Sequence, residues 1–137
     1  MTHRDYRALS EFRYQIRRFL HFSEEAARGE GLEPQQHQML LAVQALDDPE
    51  APTVGQLAEH LVLKHHSAVG LVDRLEGHGL VARIRGEGDR RQVRVRLTAD
   101  GAEKLRRLSA MHQDELQHTG PLLVEALDRI IQTAPTR

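Results

Sequence analysis

The sequence predicts a mainly α-helical chain with one two-stranded hairpin set among its helices. Three observations carry this reading. Apolar residues recur at helical spacing along much of the 137 residues, with Leu9, Phe12, Ile16 and Phe19 as the first such series. A clean period of two marks Gln92 to Leu97, where Val93, Val95 and Leu97 point one way and Arg94 and Arg96 the other. Glycine and proline punctuate the pattern, at Gly29, Gly31, Pro34, Pro49, Gly79 and the Gly120–Pro121 pair.

Taken in order, the first helix is expected from about Asp5 to Arg28. Its residues Leu9, Phe12, Ile16, Phe19, Ser23 and Ala26 lay a heptad-like seam on one face. Gly29 to Gly31 stops it. Glu33–Pro34 opens the second helix, because proline suits the first helical position, and Met39, Leu40, Val43 and Leu46 give its apolar side. Asp47 to Pro52 is rich in acids and turn formers, so it reads as a connector. Thr53 and Gln56 then form a capping box for a short helix, Val54 to Leu61.

After a turn at Val62 to Lys64, a further helix is expected over His65 to His78, burying Ala68, Leu71, Val72 and Leu75. Gly79 takes the left-handed position that ends it, and Leu80 folds back onto the last turn. Strands follow at Leu80–Arg85 and Gln92–Leu97, with Gly86, Glu87 and Gly88 in the tip. Thr98 caps a helix to about Gln117 with Leu105, Leu108, Met111 and Leu116 inside. Gly120–Pro121 is expected to break the chain before a last helix carrying Leu122, Leu123, Leu127, Ile130 and Ile131. The first and last helices have too few neighbours to bury their apolar faces in one small chain. A twofold dimer with interleaved terminal helices solves this.

Charge is distributed unevenly. The chain has 19 Lys and Arg against 20 Asp and Glu, a net charge of −1. Lys64 to Arg96 holds eight bases (Lys64, Arg74, Arg83, Arg85, Arg90, Arg91, Arg94, Arg96) and four acids (Asp73, Glu76, Glu87, Asp89), which is +4. The rest holds 11 bases and 16 acids, which is −5. A basic face on an acidic body is the electrostatic footprint of a DNA reader. A helix pair followed by an arginine-edged hairpin is a matching device: the second helix enters the major groove and the hairpin tip reaches backbone and minor groove. The ordinary alternative is a solvated hairpin with exposed arginines.

Composition excludes several classes. There is no cysteine, so disulfides, thiolate metal sites and cysteine-based redox sensing are ruled out. Trp is absent and aromatic content is 4%, which argues against a base-stacking binder of single strands. Charges scattered through the first twenty residues leave no signal peptide or membrane span, so a cytoplasmic protein is expected. No glycine-rich phosphate loop, nucleophile elbow or standard metal-ligand spacing points to an enzyme or a cofactor.

The order of elements, together with the stretches LAEHL, SAVGLVDRLEGHGLVAR and DRRQVRVRLTADG, resembles the multiple antibiotic resistance regulator (MarR) family over nearly the whole chain. The resemblance implies one MarR-type domain over 1–137, with a winged helix-turn-helix over about 33–98 and dimerisation helices over about 5–28 and 99–133. It implies a homodimer bound to a pseudo-palindromic duplex operator, usually as a repressor, released by a small organic ligand or another signal. Carried over by residue, Lys64, His65, His66 and Ser67 match the start of the recognition helix. Asp89 and Arg91 match the wing pattern, in which the acid orients an arginine in the minor groove. A carboxylate two residues away can fix a guanidinium by a bidentate pair, and a narrow groove concentrates negative potential. Arg74, Arg85, Arg90 and Arg94 complete the candidate DNA contacts. The chain departs from the family at Gly70, where many relatives carry arginine in mid-helix.

The expected ligand pocket lies between the first helix, the second helix and the start of the helix after the wing, with Phe19, Phe22, His37 and Leu40 as lining. Two recognition helices must sit about 34 Å apart to enter successive major grooves, so a ligand there can release DNA. Family resemblance points to aromatic acids, with Arg13 or Arg17 available to pair a carboxylate. Nine histidines raise a metal-responsive regulator as an alternative, through His21, Glu24, Glu25, His37, His112 and His118. No two imidazoles there share a helical face at a spacing of three or four, so no metal site is assigned. A winged helix serving as a protein-interaction module is the other alternative. It would favour an aromatic-centred apolar patch, which the outer side of His65 to His78 lacks.

Overall fold

A computed structural model describes residues 1–85 and 92–133. Its elements are α1 (His3–Gly29), α2 (Pro34–Ala45), α3 (Val54–His60), α4 (His65–Gly77), β1 (Val81–Arg85), β2 (Val93–Leu97) and α5 (Ala99–Thr133). The strands pair antiparallel, from Val81 opposite Leu97 to Arg85 opposite Val93. The fold is mainly α with one small sheet, as the sequence predicts. The chain divides into two compact units, residues 27–108 and residues 1–26 with the described residues from 109 onward.

In the unit over 27–108, local chemistry sets where each helix begins and ends. Glu33 N–H donates to the Gln36 side chain at 2.8 Å, closing a capping box in front of Pro34. Thr53 repeats the device with Gln56, at 3.1 and 2.9 Å. Gly79 takes φ +74°, and Leu80 N–H returns to the Leu75 carbonyl at 2.9 Å, closing α4. The same closure ends α3 without a glycine: Val62 sits at φ +55° while Leu63 N–H reaches the Ala58 carbonyl at 2.8 Å. A β-branched residue there is strained, and the sequence carries no sign of it. Met39, Leu40, Val43, Leu57, Val72, Leu75, Val81, Val95 and Leu108 are fully enclosed. Each contributes roughly 1.5–3 kcal/mol by burial.

The connector between α2 and α3 does more than its composition suggests. Val95 N–H donates to the Pro52 carbonyl at 2.8 Å and Thr53 bridges Arg94, so the connector lies along β2 as a fragment of third strand. At the far end of β2, the Thr98 hydroxyl donates to the Gly79 carbonyl at 2.7 Å and accepts from Gly101 N–H at 3.1 Å. It therefore caps α5 and ties the end of β2 to the turn before β1. Gly101 is forced by this proximity: a Cβ there would stand 1.9 Å from the Leu80 carbonyl oxygen.

In the other unit, α1 and α5 meet at His112, which shares a hydrogen bond with Ser23 at 2.8 Å. The Phe19 and Phe22 rings meet the imidazole edge-on, with centroids 5.9 and 5.4 Å away. One expectation fails here. Gly120–Pro121 does not break the chain, because α5 runs unbroken to Thr133 with Pro121 inside it. Gly120 has no Cβ to clash with the proline ring. Pro121 and Gln117 are both on the exposed side, so water can take the carbonyl that proline leaves without a donor.

Candidate nucleic-acid interface

The α4 helix divides cleanly into an inner and an outer side. Ala68, Leu71, Val72 and Leu75 are buried, while Lys64, His65, His66, Asp73 and Arg74 are exposed. Ser67 and Gly70 lie half-buried at the margin. Lys64 is the N-cap in extended conformation, and its ammonium group, a donor only, cannot cap the first N–H groups. The first turn brings two imidazoles and a lysine to a helix N-terminus, whose partial positive charge adds to that of the lysine. Such an end attracts phosphate.

Two acids on α4 would oppose that field, and Arg83 of β1 takes both. Its guanidinium donates to Asp73 at 2.6 Å and to Glu76 at 2.7 Å, while its backbone N–H reaches Glu76 at 3.1 Å. Desolvation works against the Arg83 charge, but the two carboxylates outweigh it and its pKa rises. The clasp fastens the wing strand to the helix and neutralises the outer acids. Sequence reading counted Arg83 among the basic residues without seeing this; a spacing of seven and ten residues from its partners gives no helical or strand signature.

Arg94 requires a correction. It was expected among the DNA contacts, yet its side chain is only 15% exposed, donating to the Ala51 carbonyl at 2.6 Å and pairing with Glu50 at 2.9 Å. Arg96, on the same strand face, pairs with Asp47 at 3.0 Å. Both strap β2 to the α2–α3 connector, whose acids supply their counterions. Arg85 is exposed at the end of β1. The candidate wing-tip contacts Asp89, Arg90 and Arg91 lie outside the described residues.

Among the expected ligand contacts, Phe19 and Phe22 are half-buried at His112. Leu40 is fully enclosed and His37 is 6% exposed, so neither offers surface to a ligand in this conformation. A cleft of about 530 Å³ in the α1–α5 unit is lined by Tyr14, Arg17, Arg18, His21, Phe22 and Glu25, with Glu115. The Arg18 guanidinium lies 5.7 Å from the centre of the Tyr14 ring. Among the described residues no three His, Asp or Glu side chains gather as a metal site. No described helix is long and apolar enough to cross a membrane.

A helix pair joined by a tight turn, its second helix cationic on the outside and clasped to a two-stranded hairpin, defines a winged helix-turn-helix protein. The MarR family profile matches residues 30–92, and a MarR family protein from Bacillus stearothermophilus superposes with a TM-score of 0.73. That match is 29% identical in sequence and covers 85% of this chain and 79% of the other. Over residues 30–92 the chain is thus similar to the MarR family, and its fold is similar to that of the family's solved member. It is 35% identical over 89 residues to the transcriptional activatory protein BadR of Rhodopseudomonas palustris, covering 64% of this chain and 51% of BadR. It is 39% identical over 62 residues to the organic hydroperoxide resistance transcriptional regulator of Bacillus subtilis, covering 45% of this chain and 42% of that protein. The chain thus spans about half the length of these relatives. Both are named as regulators of transcription, in keeping with the absence of enzyme motifs.

Proposed function

We propose that this chain binds duplex DNA sequence-specifically as a twofold dimer and represses transcription until a small organic acid releases it. The observation that carries the proposal is the outer face of α4, where Arg83 holds both acids and leaves Lys64, His65, His66 and Arg74 as the exposed charge and hydrogen-bonding groups. The dimer is supported by the α1–α5 unit, whose buried described residues are Ala8, Gln15, Ala26 and Ala126. That is no core, and Leu9, Leu20, Leu122, Leu127 and Ile131 stand exposed around it. An apolar surface of this kind is covered by a second copy.

The ligand proposal moves to the cleft beside Tyr14 and Phe22, where Arg17 and Arg18 can pair a carboxylate and the rings can stack an aromatic acid. A peroxide signal of the kind one relative's name mentions has no thiolate to react with here, since the chain lacks cysteine. Electrophoretic shift with DNA flanking the protein's own gene, with and without salicylate-type acids, tests the whole reading. Specific, salt-sensitive binding released by the acid is expected. Absence of any preference over bulk duplex would reject it. Leu127→Asp with Ile131→Asp should give monomers by sedimentation, and an intact dimer would place the interface elsewhere.

A further inference from the structure

The outer face of α4 holds a missing side chain and an unclaimed cation, and the two coincide. An ideal Cβ at Gly70 would stand 3.7 Å from Arg74 Nη1 and 3.9 Å from Nη2. The guanidinium therefore lies back over position 70, one turn toward the helix N-terminus, as long helical side chains do. His66, Gly70 and Arg74 are spaced by four and share one stripe. The acids that would compete for Arg74, Asp73 beside it and Glu76 two residues on, are both held by Arg83. The Arg74 side chain forms no hydrogen bond or ion pair with the other described residues.

We infer that Arg74 reads a guanine in each half-site and that Gly70 sets its register, an inference that rests on the DNA-binding proposal above. Guanine presents two adjacent acceptors, N7 and O6, on its major-groove edge, and the planar arginine fork matches them with two parallel donors. A phosphate would also take the fork through two bonds, but it carries no sequence, so base preference is what separates the two contacts. What distinguishes Arg74 is its placement: its end groups lie over position 70, where only an added Cβ, at 3.7 Å, would come into van der Waals contact, so glycine leaves the guanidinium room to align with a base. Alanine at 70 fits beneath the guanidinium. A longer side chain takes the same volume and pushes it away.

Selection from random-sequence duplexes by the full chain tests this, with thermal unfolding as the check on folding. Wild type and Gly70→Ala should enrich a motif with one strongly preferred guanine per half-site. Arg74→Lys should keep the other positions and the salt slope but lose that preference, with discrimination falling roughly tenfold or more. Arg74→Gln should shift the preference toward adenine, whose N6 and N7 suit an amide. Gly70→Leu should blur the same position as Arg74→Lys. Placing 7-deazaguanine there should weaken wild type and leave Arg74→Lys indifferent. A motif unchanged in Arg74→Lys and Arg74→Gln overturns this inference alone. A wild type that enriches no sequence overturns the DNA-binding proposal and takes this inference with it.

Discussion

Arg83 in β1 donates to Asp73 in α4 across 2.6 Å, and this contact helps set the sign of the exposed helix face. With Glu76 held by the same guanidinium, the acids of α4 are turned to a structural task. Arg83→Ala would free both carboxylates. The partners are well exposed, so the loss of folding stability should be only about 1 kcal/mol. DNA affinity should fall further, by roughly 2 kcal/mol for a new like charge several ångströms from phosphate at an effective dielectric near 20. Adding Asp73→Asn and Glu76→Gln should restore it. A folded Arg83→Ala protein with undiminished affinity, measured by fluorescence anisotropy, would show that the clasp has no electrostatic role.

Arg94→Ala should act on folding and not on DNA. Its guanidinium is mostly enclosed and bonded to Glu50 and to a backbone carbonyl, so its removal should cost roughly 1–3 kcal/mol in urea unfolding. The slope of log affinity against log salt should stay unchanged. A fall of that slope by about one unit would mean that Arg94 leaves the connector to meet a phosphate.

Two glycines should respond oppositely to alanine. At Gly101 the added methyl collides with the Leu80 backbone, which cannot yield without moving the β1 entrance. Gly101→Ala should therefore lose roughly 3 kcal/mol or more, read as a lower unfolding midpoint. At Gly70 the nearest atoms are the ends of a flexible side chain at ordinary contact distance. Gly70→Ala should gain about 1 kcal/mol from helix propensity. Equal effects at the two sites would contradict this packing.

Acid should weaken the start of α5 through Glu103. Hydrogen bonds from Arg106 are the main cause that holds its carboxyl at about 2, against an ordinary 4.5; desolvation pushes back, and the charges of Arg106 and Arg107 add to the lowering. A depressed folded value means stability that is complete above about 4.5 and is lost as pH falls toward 2. The carboxyl carbon of Glu103, followed by NMR, should titrate well below the exposed glutamates. Its midpoint should climb in high salt. A midpoint near 4.5 at low salt would show that the arginines do not hold it.

The sequence alone determined the elements and most of their ends, because helical period, strand alternation and capping are written within a few residues. Thr53 with Gln56, Gly79 and the alternation from Val93 to Leu97 all behave as their local chemistry requires. Local chemistry supplied the helix α4, while the candidate recognition residues at its start came from the resemblance to the MarR family. Tertiary structure decided what local reasoning cannot reach. Arg94 and Arg96 find carboxylates more than forty residues upstream, and nothing in an alternating strand says which face will meet them. Val62 accepts a left-handed conformation because the turn between two packed helices leaves no other. Pro121 stays inside α5 because it falls on an exposed side, where the vacated carbonyl can be hydrated. A local signal states a preference of about one to three kcal/mol, and packing of the whole chain can override any single one.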